Sequence, residues 1–552
     1  MSEEPTSQTK KSREDAPPEE LISHPGKDQD AVLHVEHIDN CPKTPTFDNS
    51  IDDTKPSRKV WTIILTVAMG GFLFAVYSEL TTGRPGYDTG YISAVLVSIG
   101  DDLGHSLSSQ EQELITAITS GGALIGALIA GLPADKFGRK FGIYAGCALF
   151  LIGSIIQATA YSVPQMTVGR FVVGLGVGSA SMIVPLYIGE ISVSKYRGRM
   201  VALNNVSVTF GQLIAYVLGA GFIHAAHGWR YIVAIGGVPP IILTVLLVRC
   251  PESPRLLLMH QKFEEAKKAL TSLYPYASEA QVQSKIDLLV YAIEEDAKVA
   301  GSRSIWSQFK ELHCVPANFR ALVTACTIMA ISQLCGFNAL LYYSATLFSL
   351  VGFRNPTAVS ITIGATNFIF NIVNLCAIDK AGRRIVLLVT VMIMAISMVT
   401  ISVAIHWIPI SKDLAPLTTT TNWAAIVVLV GIIVFVAAFS SGVATIAWIG
   451  TELLPIEVRA VGTMLNTVTS WGTQLIISST FLSLLKGATP SGAFGFFAGI
   501  CFFGWIYILF FFPEVKGIPL EDVRQVFEHG FGVQKAKELQ RKAAAHNKGV
   551  MV

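Results

Sequence analysis

DKFGRK, Asp135 to Lys140, returns as DKAGRR, Asp379 to Arg384, and each copy stands between apolar stretches. The second copy begins 244 residues after the first in a chain of 552. Two further pairs keep step. Glu190 and Arg197 lie seven apart, as do Glu452 and Arg459, at an offset of 262. PESPR at Pro251 is answered by PEVKG at Pro513 with the same offset of 262. Charge boxes repeated at matching places between apolar runs are the trace of a duplicated membrane bundle, an architecture of secondary transporters.

Composition agrees. Hydrophobic residues make up 51% of the chain and charged ones only 14%, against about 25% charged in soluble domains. Lipid is therefore the expected solvent. The net charge of +2 sits in clusters between apolar runs. No stripe of basic residues with interleaved aromatics is present, and no nucleic-acid partner is expected.

Residues 1–58 are rich in Pro, Ser, Asp, Glu and Lys. Such a segment buries too little apolar surface to fold and reads as a disordered cytoplasmic tail. It has no apolar core behind a basic start, so the first span is expected to act as its own insertion signal. Eight cysteines are scattered from Cys41 to Cys501, without metal-ligand spacing. They read as small apolar helix residues or reduced thiols, with no disulfide framework, metal site or cofactor expected.

A membrane-crossing helix takes about 20 mostly apolar residues. Candidate spans are 60–100 (interrupted), 113–133, 143–161, 166–187, 200–223 and 230–249, then 320–349, 358–378, 386–406, 423–451, 461–485 and 492–512. The expected fold is all-α, with twelve transmembrane helices in two pseudo-symmetric six-helix bundles, 59–249 and 320–513. Between them, 250–319 is charged and helix-prone, and 514–552 forms a polar C-terminal tail with a short amphipathic helix. The basic boxes, the linker and the EVRA segment fall on one side when spans alternate, which predicts both termini in the cytoplasm. Glycines cluster at 121, 122, 126 and 131 in the second span, and at 169, 174, 176 and 178 in the fourth. Close helix packing is the expected reason.

Nine motifs in order carry a family resemblance: GYDTG (86–90), DKFGRK, Gly169–Arg170, the E-x6-R-G-R of Glu190–Arg199, PESPR, QLCGFN (333–338), DKAGRR, the W-x3-E-L-x-P of Trp448–Pro455 and PEVKG. Over residues 60–530 the chain resembles sugar porters of the major facilitator superfamily. Within them, YDTGYISAVL, KELHCVPANFRAL and NFIF are most similar to fungal myo-inositol transporters. The resemblance implies proton-coupled uptake of myo-inositol at the plasma membrane. The partners would be a small polyol or sugar, protons and the bilayer, with a monomer as the working unit. The alternatives are a hexose carrier, proton-coupled or facilitative, and a transporter-like nutrient receptor. An enzyme is not expected, because the polar residues inside the spans are amides and indoles without a nucleophile–base pair.

Three groups of site residues follow. Asp135, Arg139 and Lys140 sit at a helix end where Gly138 permits the turn, and Asp379, Arg383 and Arg384 repeat this. With Glu190, Arg197 and Arg199 in one half and Glu452 and Arg459 in the other, they read as a cytoplasmic gate. The plainer reading is positive-inside topology alone.

Asp88 is an ionisable residue in an apolar span, costly there and usually functional. Arg170 inside the fourth span is its expected partner for proton coupling, as the resemblance also implies. A permanent ion pair in a passive facilitator is the alternative.

For the substrate, the family pattern falls on Asn205, Gln212, Gln333, Asn338, Asn367, Trp448 and Trp471. A cyclitol presents only hydroxyls and C–H faces, which call for neutral amides beside apolar walls. Three positions depart from the family: Ser332 replaces one Gln of a seventh-span pair, Asn205 shortens a fifth-span Gln, and Ser470 replaces an Asn. These reshape the pocket and weaken a glucose reading.

One stretch resists the pattern. The eleven residues Ala75–Pro85 interrupt a run that is continuous in relatives, and they bring Glu79, Arg84 and Pro85 into the first span. A mispredicted exon boundary and a genuine broken helix both account for it.

Overall fold

The computed structural model describes residues 51, 60–64, 87–193, 197–301, 305–410, 422–455, 458–515, 523–528 and 530–549. Within these, the side chains of 87–89, 131–133, 135, 197–199, 201–205, 295–301, 305, 375–381, 448–449, 451–452, 460, 523–524 and 542–549 are left undescribed. All described residues belong to one compact unit, Phe47–Val552. The Ala75–Pro85 insert lies outside the described residues.

The first half holds α1 (Tyr87–Ser98), α2 (Ser109–Phe137), α3 (Arg139–Ala158), α4 (Val163–Ile191), α5 (Arg197–Phe222) and the sixth span, split into α6 (Gly228–Gly236) and α7 (Val238–Leu247). Four helices occupy the charged linker: α8 (Pro254–Met259), α9 (Phe263–Leu273), α10 (Glu279–Gly301) and α11 (Ile305–Cys314). The second half follows as α12 (Pro316–Leu334), α13 (Phe337–Leu350), α14 (Pro356–Ala381), α15 (Arg383–His406), α16 (Trp423–Ser441), α17 (Val443–Ile449), a 3₁₀ turn (Gly450–Leu453), α18 (Arg459–Gly487) and α19 (Thr489–Phe511). Two short helices close the chain, α20 (Val523–Phe527) and α21 (Val533–Gly549).

Local chemistry sets these boundaries. Ser108 and Glu111 form a reciprocal cap at the start of α2, with Ser108 N–H donating to Glu111 Oε2 at 2.9 Å and Glu111 N–H to Ser108 Oγ at 3.3 Å. Proline stands in the first turn of α4, α12, α14 and α19, where its missing N–H costs no helix bond. Gly138 (φ 116°) and Gly382 (φ 84°) turn the chain between α2 and α3 and between α14 and α15, the same role in each repeat. Gly336 (φ 91°) breaks the seventh span between α12 and α13.

Among the described residues, nine segments are long and apolar enough to cross a membrane. The expected twelve are completed by α1, α5 and α18. Helix α18 is 29 residues long, yet it carries Asn466, Ser470, Gln474 and Ser478 at four-residue steps. That spacing puts the four on one face, and all four are buried. Conversely Ile129, Ile155, Val245, Val403 and Phe503 are each more than half exposed. Polar groups inside and aliphatic groups outside is the pattern that lipid selects.

The first half packs on small residues. A Cβ added to Gly122 or Gly126 of α2 would lie 2.5 or 2.3 Å from a carbonyl oxygen of α4, and one added to Gly174 or Gly178 of α4 would meet α2 at 2.3 or 2.0 Å. Close backbone approach therefore explains these four. Gly121 differs: its added Cβ would meet only Leu475 at 3.8 Å, an ordinary contact, because it faces the other half. The halves meet where α18 packs on α2, α14 on α5 and α13 on α1.

Candidate functional site

The break at Cys335–Gly336 turns two amides of the seventh span toward each other. Asn338 Nδ2 donates to Gln333 Oε1 at 2.5 Å, and Gln333 Nε2 donates to Ser470 Oγ on α18 at 3.1 Å. On the facing side, Asn367 Nδ2 of α14 donates to Gln212 Oε1 of α5 at 2.5 Å, and Ser440 Oγ of α16 donates to Asn367 Oδ1 at 2.6 Å. Gln212, Gln333, Asn338, Asn367 and Trp471 are all buried. Five of the seven residues assigned to the substrate thus lie in buried interhelical positions. The side chains of Asn205 and Trp448 are outside the described set.

Several polar groups that the sequence reading did not single out join this interior. Gln474 Nε2 donates to Tyr342 OH at 2.6 Å, and Asn374 Nδ2 to Thr445 Oγ1 at 2.6 Å. Among the described residues, Asn338 Oδ1, Ser332 Oγ, Asn371 Nδ2, Asn374 Oδ1, Gln474 Oε1 and both amide atoms of Asn466 are buried without a hydrogen-bond partner. A buried amide in that state costs about 1–3 kcal/mol, so its retention asks for a use. Hydroxyls of a polyol, or water, are the partners that fit. The available signal was the i, i+4 spacing of Asn367 and Asn371 and of Asn466, Ser470 and Gln474.

Arg170 is fully buried in α4. Its Nε donates to Ile115 O at 3.0 Å and its Nη1 to Tyr91 OH at 3.3 Å, while Tyr91 OH donates to Gln157 Oε1 at 3.3 Å. Asp88 lies in the first turn of α1, three residues before Tyr91 and so one turn away along the helix. Its side chain is outside the described set.

At the face that carries the boxes, Arg139 and Glu190 form a buried ion pair at 3.1 Å, with Arg139 Nε also donating to Glu190 Oε2 at 3.2 Å. The repeats PESPR and PEVKG supply a second partner. Lys140 N–H donates to Glu252 Oε2 at 3.3 Å, and Arg384 N–H donates to Glu514 Oε2 at 2.9 Å. Lys140 Nζ reaches Cys250 O at 2.8 Å and Arg384 Nη2 reaches Leu509 O at 2.7 Å, each a cation at the end of a half's last span. Arg459 Nη2 donates to Leu454 O at 3.0 Å, and Arg383 is half-buried. These contacts are made inside each half. The side chains of Asp135, Arg197, Arg199, Asp379 and Glu452 lie outside the described set. The sequence reading missed Glu252 and Glu514, although their pairing was visible in the repeat.

At the opposite, far face, Asp102 Oδ2 receives hydrogen bonds from His227 Nδ1 at 2.6 Å and Trp229 Nε1 at 2.7 Å, tying two loops of the first half together. The His227 bond first, then that from Trp229, hold the Asp102 carboxyl below its ordinary range. A cavity of about 630 Å³ lies at the box face between Leu509–Phe511 and Phe531–Glu538, and none of the amides lines it.

The model of the family described as sugar (and other) transporter matches residues 65–527. The chain is 40% identical over 512 residues to myo-inositol transporter 1 of Candida albicans, covering 92% of this chain and 90% of that one. It is 41% identical over 480 residues to myo-inositol transporter 2 of Schizosaccharomyces pombe, covering 86% and 83%. Among solved structures it is similar to the inward-open xylose transporter XylE of E. coli, with a TM-score of 0.69, 23% identity and coverage of 85% of this chain and 100% of that one. That likeness shows the major facilitator fold.

Proposed function

The chain belongs to the sugar (and other) transporter family, and on that premise we propose that it takes up myo-inositol across the plasma membrane by proton-coupled alternating access. The observation that carries the reading is the set of buried neutral polar groups, Gln212 bonded to Asn367 across the two halves and Asn338 with Gln333 and Ser470 inside the second. Such groups offer donors and acceptors to hydroxyls without charge. The curated relatives at about 40% identity, named as myo-inositol transporters, supply the substrate.

In this reading the box face is cytoplasmic and both termini lie there. Substrate hydroxyls replace the amide–amide bonds at the centre, and Trp471 with Trp448 walls the ring's C–H faces. Losing the Gln212–Asn367 bond removes one polar tie between α5 and α14, so substrate binding and the relative motion of the halves act on the same contact. The Arg139–Glu190 pair, with Lys140 on Glu252 and Arg384 on Glu514, keeps each half rigid at the inner rim while the halves rock.

Proton coupling falls to Asp88 and Arg170. Burial raises a carboxyl's proton affinity and a neighbouring guanidinium lowers it, so protonating Asp88 from outside releases Arg170 to its Tyr91 and Ile115 contacts. Return follows release of the sugar inside. Radiolabelled inositol uptake in a yeast lacking its own carriers tests the reading. Uptake that a protonophore collapses supports it, and binding without uptake favours a receptor.

A further inference from the structure

Among the described residues, one carboxylate contact joins the two halves at the far face. Glu113, near the start of α2, is 4% exposed, and both of its carboxylate oxygens are held by α18. Ser483 N–H donates to Oε1 and the Ser483 hydroxyl to Oε2, each at 2.7 Å. The two residues belong to opposite halves. Other contacts described across this seam are neutral: Ala345 N–H to Ser93 Oγ at 2.9 Å, Ser93 Oγ with Ser344 Oγ at 2.8 Å, and Tyr216 OH to Leu341 O at 2.9 Å. Hydrogen bonds to an ionised acceptor are about twice as strong as neutral ones. An intramembrane carboxylate is also expensive to keep without a use.

Titratable and charged groups around it sit on four helices. On its own helix, Glu111 is occupied by Ser108 and His105. From α13, Tyr343 OH donates to Ser478 O. From α4, Arg170 is engaged by Ile115 O and Tyr91 OH. From α18, Lys486 is exposed, as is Ser483 itself.

We propose that Glu113 is a second proton-binding site, distinct from Asp88, that latches the far face shut. As a carboxylate it accepts both Ser483 bonds. Once protonated, its Oε2–H donates to the Ser483 hydroxyl, which rotates to accept, while Oε1 still accepts from the backbone N–H. Both bonds lose their ionised acceptor and weaken to about half. An acidic outside solution therefore loosens the seam and raises the share of molecules open to that side, where substrate enters. No covalent bond changes, and the proton returns to the solution it came from. The proposal rests on the alternating-access reading but not on the identity of the substrate.

Hydrogen–deuterium exchange of the full chain in lipid nanodiscs, without substrate, tests it. Glu113→Gln at neutral pH is expected to raise uptake at least threefold in peptides covering 109–117 and 478–487. Uptake should fall in peptides at the box-face ends of α2 and α18. The native chain should make the same shift on acidification, after correction for intrinsic exchange, and Asp88→Asn should keep that shift. Glu113→Gln should no longer respond to pH. Should Glu113→Gln fail to fold, Ser483→Ala should raise uptake in the same peptides by roughly half as much. An unaltered pattern in these variants, or a pH shift in Glu113→Gln equal to the native one, would overturn the proposal. A shift as expected beside absent inositol uptake would instead strike the substrate reading alone.

Discussion

Asn367 Nδ2 of α14 donates to Gln212 Oε1 of α5 at 2.5 Å, so an amide of one half is satisfied by an amide of the other. A ligand that enters the centre has to replace this bond with its own hydroxyls. Asn367→Ala should therefore raise the half-saturating inositol concentration roughly three- to tenfold, since one neutral hydrogen bond is worth about 0.5–1.5 kcal/mol. Initial uptake rates over a range of inositol concentrations check this. An unchanged half-saturation would remove Asn367 from the site.

Asn466 separates stability from use. Both of its amide atoms are buried without a partner among the described residues, one turn from Ser470 on α18. Asn466→Leu removes an unsatisfied group of about 1–3 kcal/mol. It should raise the unfolding temperature in detergent while lowering uptake. A variant that is both less stable and fully active would contradict this placement.

The Arg139–Glu190 pair is buried at 6% and 8% side-chain exposure. Breaking a buried pair from one side costs about 3–5 kcal/mol because the other charge is left behind, whereas removing both costs less. Glu190→Ala and Arg139→Ala should each destabilise more than the double variant with Glu190→Leu and Arg139→Leu. Thermal unfolding of purified protein decides it. Additive losses would show that the two do not act as a pair.

The Asp102 tether gives a pH dependence with a fixed sign. Its carboxyl is held below the ordinary range, chiefly by the His227 bond. A carboxyl depressed in the folded state contributes stability above its unfolded value of about 3.9, lost as pH falls through the folded value. Asp102→Asn should lower the unfolding temperature by roughly one or two degrees at pH 5. The difference should shrink below about pH 4. A gap that closes between pH 7 and 5 would point to another group.

Much of this was legible in the chain. The repeated boxes and the apolar runs place the helices because length and hydropathy are local properties. Gly138 and Gly382 signal their turns for the same reason. Glu252 and Glu514 were visible as repeats, but their targets, the backbone N–H groups of Lys140 and Arg384, depend on how the sixth and twelfth spans return to the box face. Glu113 escaped because it ends the polar run that opens α2, and Asn466 because its polar stripe on α18 marks a shared face without saying what that face meets. Only the packing of α18 against α2 and α12 shows that they face inward. Helix α18 falls short as an apolar span for the same reason: the stripe that lowers its hydropathy lines the interior.

The central claim is that a proton gradient drives a polyol through the site between the halves. Purified protein reconstituted in vesicles at internal pH 7.5, diluted into pH 5.5 with labelled myo-inositol, measures it directly. Inositol should accumulate above its outside concentration, collapse on adding a protonophore, and fail to accumulate in Asp88→Asn while exchange persists. Equilibration without accumulation under the same gradient, or accumulation left intact in Asp88→Asn, would contradict it.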